Sequence, residues 1–207
     1  MPQTVASSFK RVSLSVLIIL AAALPILADA VGDGIAWDVS RPLSWGDFLG
    51  TAPADAVNRN EPAAIHMTIH WRVSYSATSA NGRTWTGRVG SAEVTNTMSP
   101  TLSWSVPGKL DALILTHEQT HFDLNEVYRR KLERALLCVQ TQGSAEQGVL
   151  DALNAQVHSM AGILLNRLVD IQAQYDAESS HGLDQAAQLR WQEQIARWLI
   201  DPALAPS

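Results

Sequence analysis

The chain has 207 residues, of which 46% are hydrophobic, 17% charged and 6% aromatic, with a formal net charge of -5. These values exclude a basic nucleic-acid binder on electrostatic grounds, and the chain is too apolar and too weakly charged for a disordered acidic polymer. Much of the apolar content is concentrated in Val12 to Leu27, directly after Lys10 and Arg11, the only basic side chains among the first forty residues. A basic start, an apolar core and a small-x-small exit at Ala28-Asp29-Ala30 form the plan of a secretory signal peptide over residues 1–30, with a retained membrane anchor as the competing reading. Removing that segment takes away Lys10, Arg11 and Asp29 and leaves residues 31–207, 177 residues with a net charge of -6. That is an expected single domain, periplasmic or secreted, with no integral membrane segment once the signal is cleaved. Cys138 is the only cysteine, so no internal disulfide is possible, and a small buried residue on a helix is its expected role.

Residues 31–108 read as strand-rich. Trp37 to Thr51 suggests an irregular packed segment or a short strand. Ile65, Met67, Ile69, Trp71, Val73 and Tyr75 alternate with polar residues, the period of a half-buried strand. Asn81-Gly82 supplies hairpin turn chemistry, and Thr84 to Thr97 is a return strand interrupted by Gly87 and Gly90. A third short run, Thr101 to Val106, is a candidate edge strand for an extended peptide.

Residues 109–207 read as helical. Leu113, His117, His121, Leu124, Tyr128, Leu132, Ala135 and Val139 form one stripe down a helix from about Leu110 to Gln140. Ser144 and Gln147 resemble a capping box opening a second helix that runs to about Tyr175, and a third runs from about Asp184 to Ile200. The expected class is α+β: a small antiparallel sheet followed by three helices.

The first helix carries His117-Glu118-Gln119-Thr120-His121, an HExxH motif. Residues four apart share a helix face, so both imidazoles can reach one ion, while Glu118 is rotated off them and can act on a zinc-activated water as general base. Both histidines interrupt an apolar stripe and so face the interior, where an unsatisfied imidazole is costly. One zinc ion per chain, held by His117 and His121, is the expected cofactor.

Helix geometry narrows the search for a third ligand. Glu126 is about 900° of rotation beyond His117, on the far side of the helix, and Asp123 is also off the stripe. Solvent suits Glu126, whereas Asp123 is open between solvent and orienting a ligand. If the second helix folds back antiparallel, the residue level with His117 is near Val169, and the loop after Asp176 can return to the site. His181 in that loop is the expected third ligand, with Glu178 or Asp176 as substitutes. Tyr175 is a candidate oxyanion donor or, equally, a core aromatic. His66 and His70 are about 13 Å apart along a strand, too far for one ion, and are expected at the surface. His158 and the tryptophans are expected to be structural.

Leu43-Ser44-Trp45-Gly46-Asp47-Phe48, Ser103-Trp104, His117 to Asp123, Tyr175 to Gly182 and Trp191 together resemble an uncharacterised bacterial family, domain of unknown function 922. Thr120 stands where that family commonly has glycine, and Ser179 where it commonly has threonine. The resemblance implies an exported zinc-dependent peptidase of zincin-like fold. The expected function is therefore hydrolysis of peptide bonds in a peptide or protein substrate, with Glu118 as base. The alternatives are a zinc hydrolase of a non-protein envelope amide or ester, and a non-catalytic zinc-containing binding module.

Overall fold

The structure, a computed structural model, describes residues 34–58 and 61–207 together with the backbone of Leu14–Val16. The expected export signal and its exit at Ala28 to Ala30 fall outside the described residues except for that three-residue strand, β1, which pairs antiparallel with Trp71 to Val73. No described helix is long and apolar enough to cross a membrane.

The sheet is organised on a long hairpin of β4 (Met67–Thr78) and β5 (Trp85–Met98). Ile69, Trp71, Val73 and Tyr75 share one face of β4 and are all buried, as a period of two requires. In the connecting loop Asn81 Oδ1 accepts from the backbone N–H groups of Arg83 and Thr84, both at 2.9 Å, which fixes the turn locally. The two glycines that break the alternation of β5 have separate causes. Ser74 faces Ser91 while Tyr75 faces Val89, so Gly90 is the extra residue of a bulge. Gly87 lies where a helix crosses the strand, and a Cβ there would run into Val149 and come within 2.8 Å of Leu153 Cδ1. β2 (Ile35–Ala36) and β7 (Gln140–Gly143) pair with opposite ends of the other edge of β5.

β3 (Ala63–Ala64) and β6 (Trp104–Ser105) form a separate two-stranded ladder. Only two residues of the expected Thr101 to Val106 run are strand, and Trp104 has Ala64 on one side and a parallel bridge to Gly50 on the other. It is not a free edge for a peptide.

Three helices complete the fold: α1 (Ala112–Leu137) and α2 (Glu146–Ser179) pack on the sheet, and α3 (Gln185–Ile200) packs on α1 and α2. The class is α+β, with antiparallel sheets and three helices. Asp111 caps α1 by accepting from the Leu113 N–H at 2.6 Å. The main core joins the inner face of β4 to Leu124, Tyr128 and Leu132 of α1, Leu153 and Val157 of α2, and Trp191 and Trp198 of α3. A smaller core of Leu43, Phe48, Met98 and Phe122 fixes the irregular segment around Trp37 to Phe48 against α1.

Several local expectations are corrected. α1 ends at Leu137, and Cys138 is its exposed C-cap rather than a buried helical residue. The apolar stripe runs on to Val139 because the chain leaves the helix for β7 while still against the core. Ser144 and Gln147 form no capping box; Ala145 is the N-cap of α2, without a side-chain bond. α2 also continues four residues past Tyr175. Glu126 is not solvated but buried, and it accepts from Arg129 Nε at 2.9 Å and Arg130 Nε at 2.7 Å. Both neighbours lie within one helical turn, so their cations reach the carboxylate without leaving α1.

Candidate metal centre

His117, Glu118 and His121 occupy the second and third turns of α1, and all three are buried. Opposite them, the last turns of α2 place Gln172, Asp176 and Ser179 on one face at spacings of four and three. Asp176 Oδ1 lies 3.1 Å from His117 Nε2 and 2.9 Å from His121 Nε2, and the two Nε2 atoms are 3.0 Å apart. Three potential ligand atoms thus converge on one point, and among the described residues this is the group of His, Cys, Asp and Glu placed to hold a metal ion.

The remaining ring nitrogens are committed elsewhere. Gln172 donates its amide N–H to the carbonyl of His121 at 3.1 Å, which orients the amide and presents Oε1 to His121 Nδ1. An oxygen there can only accept, so Nδ1 carries the proton and Nε2 is the atom that exchanges a proton for a metal. His117 Nδ1 faces the buried Ser179 hydroxyl at 3.4 Å.

Electrostatics favours a cation at the convergence point. Burial holds His117 down at about 4, helped by His121, so it is neutral at pH 7. Burial pushes Asp176 upward, but the hydrogen bonds from His117 and His121 outweigh it and keep the carboxyl ionised, well below the usual range. For His121 burial acts downward, yet the bond to Asp176 and the charges of Asp176 and Glu118 make the net shift upward. Two carboxylates therefore call for positive charge at His121 Nε2, and a divalent ion satisfies the same field as a proton. The spacing fits as well: ligands about 2.0–2.1 Å from a tetrahedral zinc lie about 3.3 Å apart.

Glu118 is not among the three converging residues, and its carboxylate accepts from the Ile65 N–H at 2.9 Å. Burial raises its carboxyl to about 7. Its position is set by the short segment leading from β3 into β4, an element whose relation to α1 the sequence did not announce.

His181, the expected third ligand, sits at the edge of this arrangement. Its Nδ1 is 3.5 Å from Asp176 Oδ1 and its side chain is 44% exposed, so it approaches the carboxylate and stands outside the three-atom group. The cause is the length of α2, which carries Asp176 on the helix itself. Glu178, the other substitute, accepts from Trp191 Nε1 at 2.8 Å. Tyr175 is fully buried, with its ring stacked on His117 at 4.7 Å and edge-on to His121 at 4.8 Å. Its hydroxyl meets Thr120 in poor hydrogen-bond geometry and reaches no solvent. Tyr175 thus forms the wall behind both imidazoles.

Asp123 accepts from Trp37 Nε1 and Gln119 Nε2, both at 2.8 Å, and Gln119 in turn accepts from the Leu43 N–H. It holds the Trp37 segment rather than a metal ligand. His66 and His70 are half-buried and their pKa values are lowered by burial, so neither is a plain surface residue. His158 is structural, its Nδ1 donating to the Asn154 carbonyl at 2.8 Å.

The loop after α2 closes the site. Ser180, His181 and Gly182 take φ values of 50°, 53° and 84°, three consecutive left-handed residues. A Cβ on Gly182 would lie 2.9 Å from His117 Cβ. Gly182→Ala is therefore expected to combine backbone strain with displacement of a ligand, lowering Tm by about 4–8 °C for a cost of about 2 kcal/mol. Thermal unfolding with and without added zinc checks this; an unchanged Tm would mean that the loop has room to adjust.

An α+β fold in which one helix carries HExxH and a second brings a carboxylate to the same two imidazoles defines a protein with a candidate metal centre. Residues 49–182 match a family described as a bacterial protein of unknown function (DUF922), a span of well over half the chain, and the protein belongs to that family. The span contains His117, Glu118, His121, Asp176 and His181. No curated protein and no solved structure matches the chain.

Proposed function

We propose that this protein is an exported zinc-dependent hydrolase of peptide bonds, built on the zincin plan. The observation that carries the reading is the pairing of two features on α1: a buried histidine pair sharing a carboxylate, and a separate buried carboxyl, Glu118, beside it. Two imidazoles and one carboxylate form a three-residue set that leaves a fourth zinc position open, and a closed structural site has no need of an adjacent base. Export rests on Lys10-Arg11 and the apolar run that follows.

His117, His121 and Asp176 would hold the ion. Zinc bound there would supply Lewis acidity, polarising a substrate carbonyl and acidifying water. Glu118, titrating near 7, is matched to taking a proton from the attacking water and returning it to the leaving amine. The Ile65 N–H fixes one of its oxygens and leaves the other for that proton. Tyr175 and Trp191 shield the back of the site from solvent.

The test is metal content together with turnover. Purified protein is expected to contain about one zinc per chain, to cleave a mixed peptide library, to lose both properties on chelation and to regain both with zinc. Metal-free protein with undiminished hydrolysis would overturn the reading.

A further inference from the structure

Beside the metal centre, the first turn of α1, the segment before β3 and the loops after β6 and α2 enclose a cleft of about 380 Å³. This falls in the range of clefts that take small ligands, about 300–1,000 Å³. Its apolar lining includes Val57, Val106, Leu110, Leu113, Ile114 and Leu183. Four of these, Val57, Leu110, Leu113 and Leu183, are 38–60% exposed, an apolar group kept open to water at one place.

The cleft is continuous with the site on two sides. Gly182 lines it and packs directly on His117. Ile114, its buried floor, lies one helical turn before His117 and Glu118, while Pro62 lines it three residues before Ile65, whose N–H is bonded to Glu118. A chain passing across the centre would therefore lay a side chain into the cleft. The charged groups on its lining, Glu61, Lys109 and Asp111, carry one more negative than positive charge, and Asp111 is already engaged in capping α1. That balance disfavours an acidic side chain and leaves apolar contact as the main source of affinity.

We propose that this cleft is a specificity pocket taking a large apolar side chain, aliphatic or aromatic, from a residue flanking the scissile bond. The inference rests on the peptidase reading above, and the experiment separates the two. Dansyl-labelled hexapeptides Ala-Ala-Xaa-Ala-Ala-Ala, with Xaa as Leu, Phe, Ala or Asp, are titrated into the zinc-loaded Glu118→Gln protein by fluorescence anisotropy, and kcat/KM is measured with wild type. Leu and Phe peptides are expected to bind about tenfold or more tighter than the Asp peptide and to be cleaved with the same preference. Leu183→Asp and, independently, Leu113→Asp should reduce that preference to the level of Ala; both side chains are partly exposed, so the fold is retained, as circular dichroism checks. Selective binding of Leu and Phe with no cleavage by wild type would support the pocket and sink the peptidase reading. Cleavage with no discrimination at Xaa, or discrimination untouched by both variants, would overturn the pocket and leave the peptidase standing.

Discussion

Asp176→Ala is expected to reduce zinc affinity by at least about 100-fold, beyond the 10–100-fold typical of losing an outer partner of a ligand. His181→Ala is expected to cost no more than about tenfold, the lower end of that range. The difference follows from position. Asp176 Oδ1 is within hydrogen-bond distance of both Nε2 atoms, so removing it deletes one of three converging atoms and the negative charge that draws a cation to them. His181 approaches Asp176 at 3.5 Å from a partly exposed position and is not among the three converging residues. Competition against a chromophoric zinc chelator measures both variants, and His117→Ala serves as the reference for a lost ligand. Asp176 is 33% exposed in its side chain, so its truncation leaves no large cavity, and circular dichroism should show an intact fold. The reverse order of effects would assign His181 to the metal and require the left-handed loop to swing inward when zinc binds.

The same two residues show what the sequence could and could not announce. His117 and His121 were legible because α-helical periodicity is local: residues four apart meet on one face whatever the rest of the chain does. The strand of Ile69 to Tyr75 was legible for the same reason, with a period of two. The candidate third ligand depends on the register of α2 against α1, which no local rule fixes. A tight antiparallel turn puts Val169 level with His117, whereas the observed partner is Asp176, seven residues or about 10 Å further along the helix. The connection is in fact a strand, β7, whose four residues span about 13 Å and pair with β5 before α2 begins. Nothing in Gln140-Thr141-Gln142-Gly143 marks a strand; the open edge of β5 recruits it. Gln172 and Ser179 were hidden likewise, since an orienting partner is defined only by what it faces. One signal was available: Gln172, Asp176 and Ser179 lie at helical spacing, a polar stripe in a helix whose other buried positions are mostly apolar. Matching that stripe to the polar break at His117 and His121 sets the register.

Glu118→Gln is expected to keep the metal, lower hydrolysis by about 10²–10⁴-fold, and make the zinc-free protein more stable at neutral and alkaline pH. Retention of the metal follows because Glu118 is not among the converging atoms, and the amide oxygen can still accept from Ile65 N–H. Loss of turnover follows because an amide cannot take a proton from water. The stability gain comes from burial. The folded carboxyl titrates at about 7 against an ordinary value of 4.5, so the fold prefers the protonated form. The stability that this preference contributes is fully present below pH 4.5 and is lost as pH rises through about 7, where a charge must be buried to stay folded. The substituted amide carries no such charge, and the variant should gain on the order of 2–3 kcal/mol at pH 8, an increase in Tm of about 4–12 °C, and nearly nothing at pH 4. Thermal unfolding of the chelated proteins across that range reads the gain directly, alongside peptide turnover with zinc restored. A Tm difference independent of pH would show that folding leaves the Glu118 pKa unshifted, and a variant still turning over at the wild-type rate would remove it from the chemistry. Both effects together would mark Glu118 as a residue held at a cost to the fold for the proton it carries.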